Sequence, residues 1–139
     1  MGSFGVKPFE NDDALDWLVH FVQAPLKSVR DALSLKSGTT PSSSRASRAV
    51  AAAYLLSGKR LTQKEMRVCV ASGVNPEQLI IEADNKLLVQ AIAALIEIRG
   101  DESELRKEWR ESGLESEWLK TLDLIIKSLE QRVKTIGSS

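Results

Sequence analysis

A chain of 139 residues, 42% hydrophobic and 27% charged, has the size of one domain with a single core and the composition of an ordinary globular protein. Its 19 Lys and Arg balance 19 Asp and Glu, so no global charge points to nucleic acid or a membrane surface. One Cys excludes an internal disulfide and a cysteine-based zinc site, and no apolar run reaches the roughly 18 residues of a membrane span.

The segment 1–10 reads as an extended arm, with Phe4 and Phe9 folding it back onto the rest and Gly5 allowing a sharp turn between them. It lacks the basic region and long apolar stretch of a signal peptide, which with the lone thiol leads us to expect a cytoplasmic location. A first helix is expected from Asn11 or Asp12, since Asn and Asp accept hydrogen bonds from first-turn amides. Asp12, Asp13 and Asp16 then suit the positive end of the helix dipole. Ala14, Trp17, Leu18, Phe21 and Val22 form one apolar stripe. Pro25 stops that helix and opens a second over about 25–35, with Leu26, Val29, Leu33 and, at its edge, Ala32 inward.

A Ser-, Thr- and Gly-rich loop over 36–44 follows, then an Ala-rich helix to about Ser57, stopped by Gly58. Thr62 and Glu65 have the spacing of a capping box for a helix ending near Gly73. Asn75, Pro76 and Glu77 make another start. The apolar stretch from there to Ile98, with a kink or restart at Asp84-Asn85, is apolar on most sides and is expected to be the central helix. Asp101–Trp109 opens a short acidic-headed helix broken by Gly113. Trp118, Leu119, Leu122, Ile125, Ile126, Leu129 and Val133 stripe the last helix, ahead of a frayed tail at 137–139. No segment alternates with period two. The expectation is an all-α, compact, single-domain bundle of six or seven helices with the N-terminal arm packed on it.

Candidate chemistry is sparse. Glu10, Asp12, Asp13 and Asp16 lack the alternating oxygens and the glycine of a calcium loop. Asp13 and Asp16 share one helix turn and no cleft, unlike a glycosidase pair. His20 falls off the apolar stripe, and Cys69 sits in an apolar setting. A dyad of the two would need only spatial proximity. No phosphate loop, nucleophile elbow or zinc-protease motif is present. We therefore expect no catalytic residue, metal or cofactor.

Charge is unevenly spread. Residues 1–35 hold five acids and three bases, 36–75 one acid and seven bases, and 76–139 thirteen acids and nine bases. Arg45, Arg48, Lys59, Arg60, Lys64 and Arg67 form the basic middle, a candidate nucleic-acid face in a helix–turn–helix over about 44–72. The pI near 6.6 argues against a typical reader. Glu10, Asp12, Asp13 and Asp16, with Glu102, Glu104 and Glu108, form the candidate face for a protein partner.

Two stretches carry a resemblance. Phe4, Gly5, Phe9, Asn11, Asp12, Asp13, Ala14, Asp16 and Trp17 stand near one end, and Ser103, Glu104, Leu105, Trp109, Glu111, Ser112, Gly113 and Trp118 near the other. This pattern resembles an uncharacterised family of small bacterial helical domains. Phe4 stands where that family has Trp, and Val6-Lys7-Pro8 replaces its Gly-rich spacer. The resemblance implies a cytosolic bacterial helical domain and no particular reaction. It leads us to expect the arm to pack on the Trp109 and Trp118 helices, with Arg106 or Arg110 meeting Asp12, Asp13 or Asp16. By analogy with other small bacterial proteins, the leading functional expectation is an immunity protein that covers a basic toxin. A nucleic-acid-binding regulator and a small enzyme with an unrecognised site are the alternatives.

Overall fold

Apolar residues at helical spacing, punctuated by Asn, Asp and Ser starts and Gly or Pro stops, dictate helices throughout. The computed structural model describes residues 8, 9, 11–34, 41–58, 62–71, 73, 75 and 84–137. Among them run seven helices and no strand: α1 (Asp12–Phe21), α2 (Pro25–Leu33), α3 (Ser43–Leu56), α4 (Gln63–Ala71), α5 (Asn85–Ile98), α6 (Glu104–Ser112) and α7 (Glu115–Gly137). Phe4, Gly5, Glu10, Lys59 and Arg60 lie outside the described residues, as do the expected start at Pro76-Glu77 and the tail at 138–139.

The cap of α1 is Asn11, whose Oδ1 accepts from the Ala14 amide at 2.8 Å while its Nδ2 donates to the Pro8 carbonyl at 3.3 Å. Ala14, Trp17, Leu18 and Phe21 are buried along the expected stripe. Phe9 is fully buried ahead of the cap, and the ring it meets is Tyr54 of α3, edge-on with centroids 5.6 Å apart. Of the arm, Phe9 thus docks on α3; residues 1–7 and 10, on which its expected packing against the Trp109 and Trp118 helices also depends, lie outside the described residues. In α2, Pro25 occupies the first turn and Val29 and Leu33 are buried, but Leu26 is 48% exposed. The inward face is Ser28, Val29, Ala32 and Leu33, because the Ser28 carbonyl is drawn in to accept the Trp17 indole N–H at 3.2 Å.

The loop before α3 ends earlier than the composition suggests. Ser42 is the cap, its Oγ accepting from the Arg45 amide, so Ser43 and Ser44 already belong to the helix. Nearly every side of α3 is covered: Ala46, Ser47, Ala49–Tyr54 and Leu56 are buried, and α1, α2, α5, α6 and α7 all pack on it. This corrects the expectation that the apolar stretch ending at Ile98 would be central. Asp84 is extended and caps α5 from its side chain, so α5 is a new start rather than a kink. It packs most extensively on α7 and leaves Val89 and Ile96 50% and 57% exposed. Small side chains, not the greasiest ones, make a central helix here, because they let neighbouring backbones approach.

The Thr62–Glu65 capping box forms in both directions. The Glu65 amide donates to Thr62 Oγ1 at 3.2 Å, and the Thr62 amide donates to Glu65 Oε1 at 2.8 Å. The buried Oε1 also accepts from the Tyr54 hydroxyl at 2.9 Å, tying α4 to α3. Burial first, and the Glu65 bond next, push the Tyr54 hydroxyl well above its ordinary pKa. Burial, then the Glu65 charge, push the Cys69 thiol up to about 11.

In α6, Ser103 caps through its Oγ to the Arg106 amide, and Leu105 and Trp109 are buried. Gly113 stops the helix at φ +82°, with its amide on the Arg110 carbonyl and that of Leu114 on the Trp109 carbonyl. Arg106 joins three helix ends: it donates to the Arg99 carbonyl at 2.7 Å, pairs with Asp101 at 3.1 Å and with Glu115 at 3.0 Å. The α7 stripe is as expected, with Trp118, Leu122, Ile125 and Leu129 buried, and the helix runs on to Gly137. Arg132 reaches across to donate to the Leu56 carbonyl at the end of α3. No described helix is long and apolar enough to cross a membrane.

Two outcomes follow from these contacts. Gly58 and Gly73 both take positive φ, but a Cβ on Gly58 would meet the Arg132 side chain at 3.1 Å whereas one on Gly73 meets nothing within 4 Å. Gly73→Ala should therefore cost about 1 kcal/mol, the backbone term alone, and Gly58→Ala distinctly more, read as the gap between their urea midpoints. The native Cys69 thiol should stay unreactive to a disulfide reagent at pH 8 and react only on unfolding; rapid native modification would show that its burial is wrong.

Candidate functional site

The two acidic stretches behave differently once folded. Asn11 caps α1, which leaves Asp12 and Asp16 exposed and Asp13 half-buried along one edge of that helix. No described Lys or Arg pairs with any of the three. The expected contact from Arg106 or Arg110 is not made. Both guanidiniums turn to Glu115, which Arg106 and Arg110 each approach at 3.0 Å, because Gly113 folds the start of α7 back beside α6. The bond from Arg106, joined by that from Arg110, holds the Glu115 carboxyl below the usual carboxylate value, against an opposing push from burial. Glu102 and Glu104 are exposed. Glu108 is half-buried, with one carboxylate oxygen shut off from water and without a hydrogen bond.

The described members of the basic middle divide between two helices. Arg45 and Arg48 lie on the N-terminal half of α3, while Lys64 and Arg67 lie on α4, which follows the other end of α3. At 1.5 Å per residue, Arg45 and Arg48 stand about 12–16 Å along the axis from Leu56.

Instead, Arg45 and Arg48 meet the α1 edge. A hollow of about 470 Å³ opens between α1, α2 and α3, lined by Trp17, His20, Asp31 and Ser34 as well as the two arginines. A second depression of about 390 Å³ continues it past Asp16 and Val19, sharing Trp17, His20 and Arg48. The walls are held by hydrogen bonds between helices: Trp17 Nε1 to the Ser28 carbonyl at 3.2 Å, Ser28 Oγ to the His20 carbonyl at 3.3 Å, and Arg45 Nη2 to the Ser34 carbonyl at 3.0 Å. Sequence reasoning placed Asp16 in one candidate face and Arg45 and Arg48 in the other, and passed over Asp31 and Ser34. The one advance signal was His20 standing off its stripe at an edge of α1.

Other candidate chemistry stays apart. Cys69 is buried beside Glu65 in α4, and its raised pKa keeps the thiol protonated. His20 is exposed on the hollow, so the two do not make an activated pair. Among the described residues no three His, Cys, Asp or Glu side chains are grouped to hold a metal ion. Among the described members of the two signature stretches, Phe9, Asn11, Trp17, Ser103, Trp109 and Trp118 cap or pack helices.

No curated protein and no solved structure matches the chain. One family profile does, over residues 2–121, from the arm through the first turns of α7. The chain belongs to that family, the Domain of unknown function DUF4259.

Proposed function

We propose that this domain is a non-catalytic protein-binding module, and specifically a bacterial immunity protein acting in the cytoplasm by covering a basic toxin. The observation that carries the reading is the difference between its acids. Asp101 and Glu115 are engaged by Arg106, whereas Asp12, Asp13 and Asp16 present negative charge on α1 with no described counter-ion. Those three would form the gripping surface, and Glu10 would extend it; exposed Glu102 and Glu104, expected to share it, stand at the start of α6 on another flank of α3. Complementary charge speeds association and rejects like-charged partners.

The direct test is co-expression with a basic toxin encoded beside the gene. Rescue of growth and a complex on gel filtration are expected; growth arrest with no complex would sink the reading. Replacing Asp12, Asp13 and Asp16 together by Asn should slow association roughly tenfold at low salt, with the difference shrinking as salt rises. Glu130→Gln, on exposed α7, is the control and should leave the rate alone. A chain that instead retains RNA or DNA, with affinity falling steeply in salt, would favour the regulator reading.

A further inference from the structure

We propose that the hollow between α1, α2 and α3 is a binding site for a small dipolar ligand bearing both an ammonium and a carboxylate, either a free amino acid or a short peptide. Three observations converge on it. First, its lining is preorganised: Trp17, Ser28 and Arg45 are each fixed by a hydrogen bond to a neighbouring helix, so little order is lost when a ligand enters. Second, charges of both signs face it without neutralising each other. Arg48 makes no ion pair with Asp16 or Asp31 among the described residues, and the His20 ring makes no described hydrogen bond. Third, the signs are sorted by helix: α3 contributes Arg45 and Arg48, and α2 contributes the Asp31 carboxylate.

That sorting chooses the ligand. A plain anion drawn to Arg45 and Arg48 meets Asp16 and Asp31, and a plain cation drawn to the acids meets the arginines. A ligand with separated charges satisfies both walls: its carboxylate lies along α3, where guanidiniums bind carboxylates well. Its ammonium lies toward the exposed Asp31 carboxylate, since the Ser34 carbonyl at the end of α2 is taken by Arg45. The Trp17 edge, Ala32 and Val19 offer apolar surface for a side chain between them. The volume of about 470 Å³ falls in the range of small-ligand sites. A dipeptide, spanning at most about 7 Å, fits within it. This site is independent of toxin binding, although Asp16 borders both surfaces.

The test is an NMR titration of the full chain, following the Trp17 indole N–H and the His20 ring. The probes are the free standard amino acids in one arm and alanyl dipeptides with free termini in the other, each beside its N-acetyl and carboxamide forms. The expected result is saturable shifts at Trp17 and His20 with a dissociation constant of about 1 mM or tighter. Each blocked form should bind at least about tenfold weaker, a loss of one charged partner. The arm that saturates first identifies the source of the dipolar group. Arg48→Gln and Asp31→Asn, both on exposed positions, should each weaken binding by a similar factor while leaving the helical circular dichroism unchanged. Absence of shifts in both arms, or equal shifts with free and blocked ligands, overturns the proposal.

Discussion

Close approach of helices to α3 rests on Ala46, Ala49 and Ala51–Ala53, whose small buried side chains let neighbouring backbones draw near. The arrangement of the whole molecule hangs on that. With α1 and α2 on one flank and α5, α6 and α7 on others, α3 is covered on nearly every side. Its larger end groups then act as fasteners. Tyr54 receives the Phe9 ring and donates to Glu65, and the Leu56 carbonyl receives Arg132. A larger residue in the Ala run would push the flanking helices apart, and overpacking of this kind typically costs about 1–3 kcal/mol.

Helix ends account for most of the polar side chains that the fold engages. Asn11, Ser42, Asp84 and Ser103 each satisfy an amide in the first turn of their helix. Arg106 does the opposite work, taking the carbonyl at the end of α5 while gathering Asp101 and Glu115. Because Asn11 performs the capping alone, Asp12, Asp13 and Asp16 are not needed as hydrogen-bond acceptors by α1. What they give the helix is a dipole interaction worth about 0.3–1 kcal/mol each at a surface. That is enough to explain acids at a helix start, yet it leaves their oxygens free to meet a partner.

Local grammar was the legible part of the sequence. Cap residues, the capping box, Pro25, Gly58 and Gly113 all act within a turn of where they stand, so their spacing announces them. Burial by stripe was legible for α1 and α7, where apolar residues dominate one side. It failed for Leu26, because the side of α2 turned inward carries the Ser28 carbonyl that accepts from Trp17, and for α5, because hydrophobicity was read as centrality. The partners of the arginines were not legible. Arg106 and Arg110 chose Glu115 over the α1 acids because Gly113 brings α7 back beside α6, a tertiary outcome that charge counting cannot see. The hollow was hidden for the same reason: Asp16, Asp31 and Arg48 come from three helices, and only the packing on α3 sets them around one space.

The family match ends at residue 121, yet the helix that contains that position continues to Gly137. Leu122, Ile125 and Leu129 lie beyond the match and are buried, and so does Arg132, which closes the end of α3. α5 packs most extensively on α7, so removing this stretch would bare part of the apolar face of α5 and release the Leu56 carbonyl. The folding unit of this chain is therefore longer than the matched region. The acidic edge and the hollow lie at the other flank, on α1, α2 and α3, wholly inside it. A frame with candidate sites on α1–α3, held by a C-terminal helix that extends past the match, is the division of labour that these contacts describe.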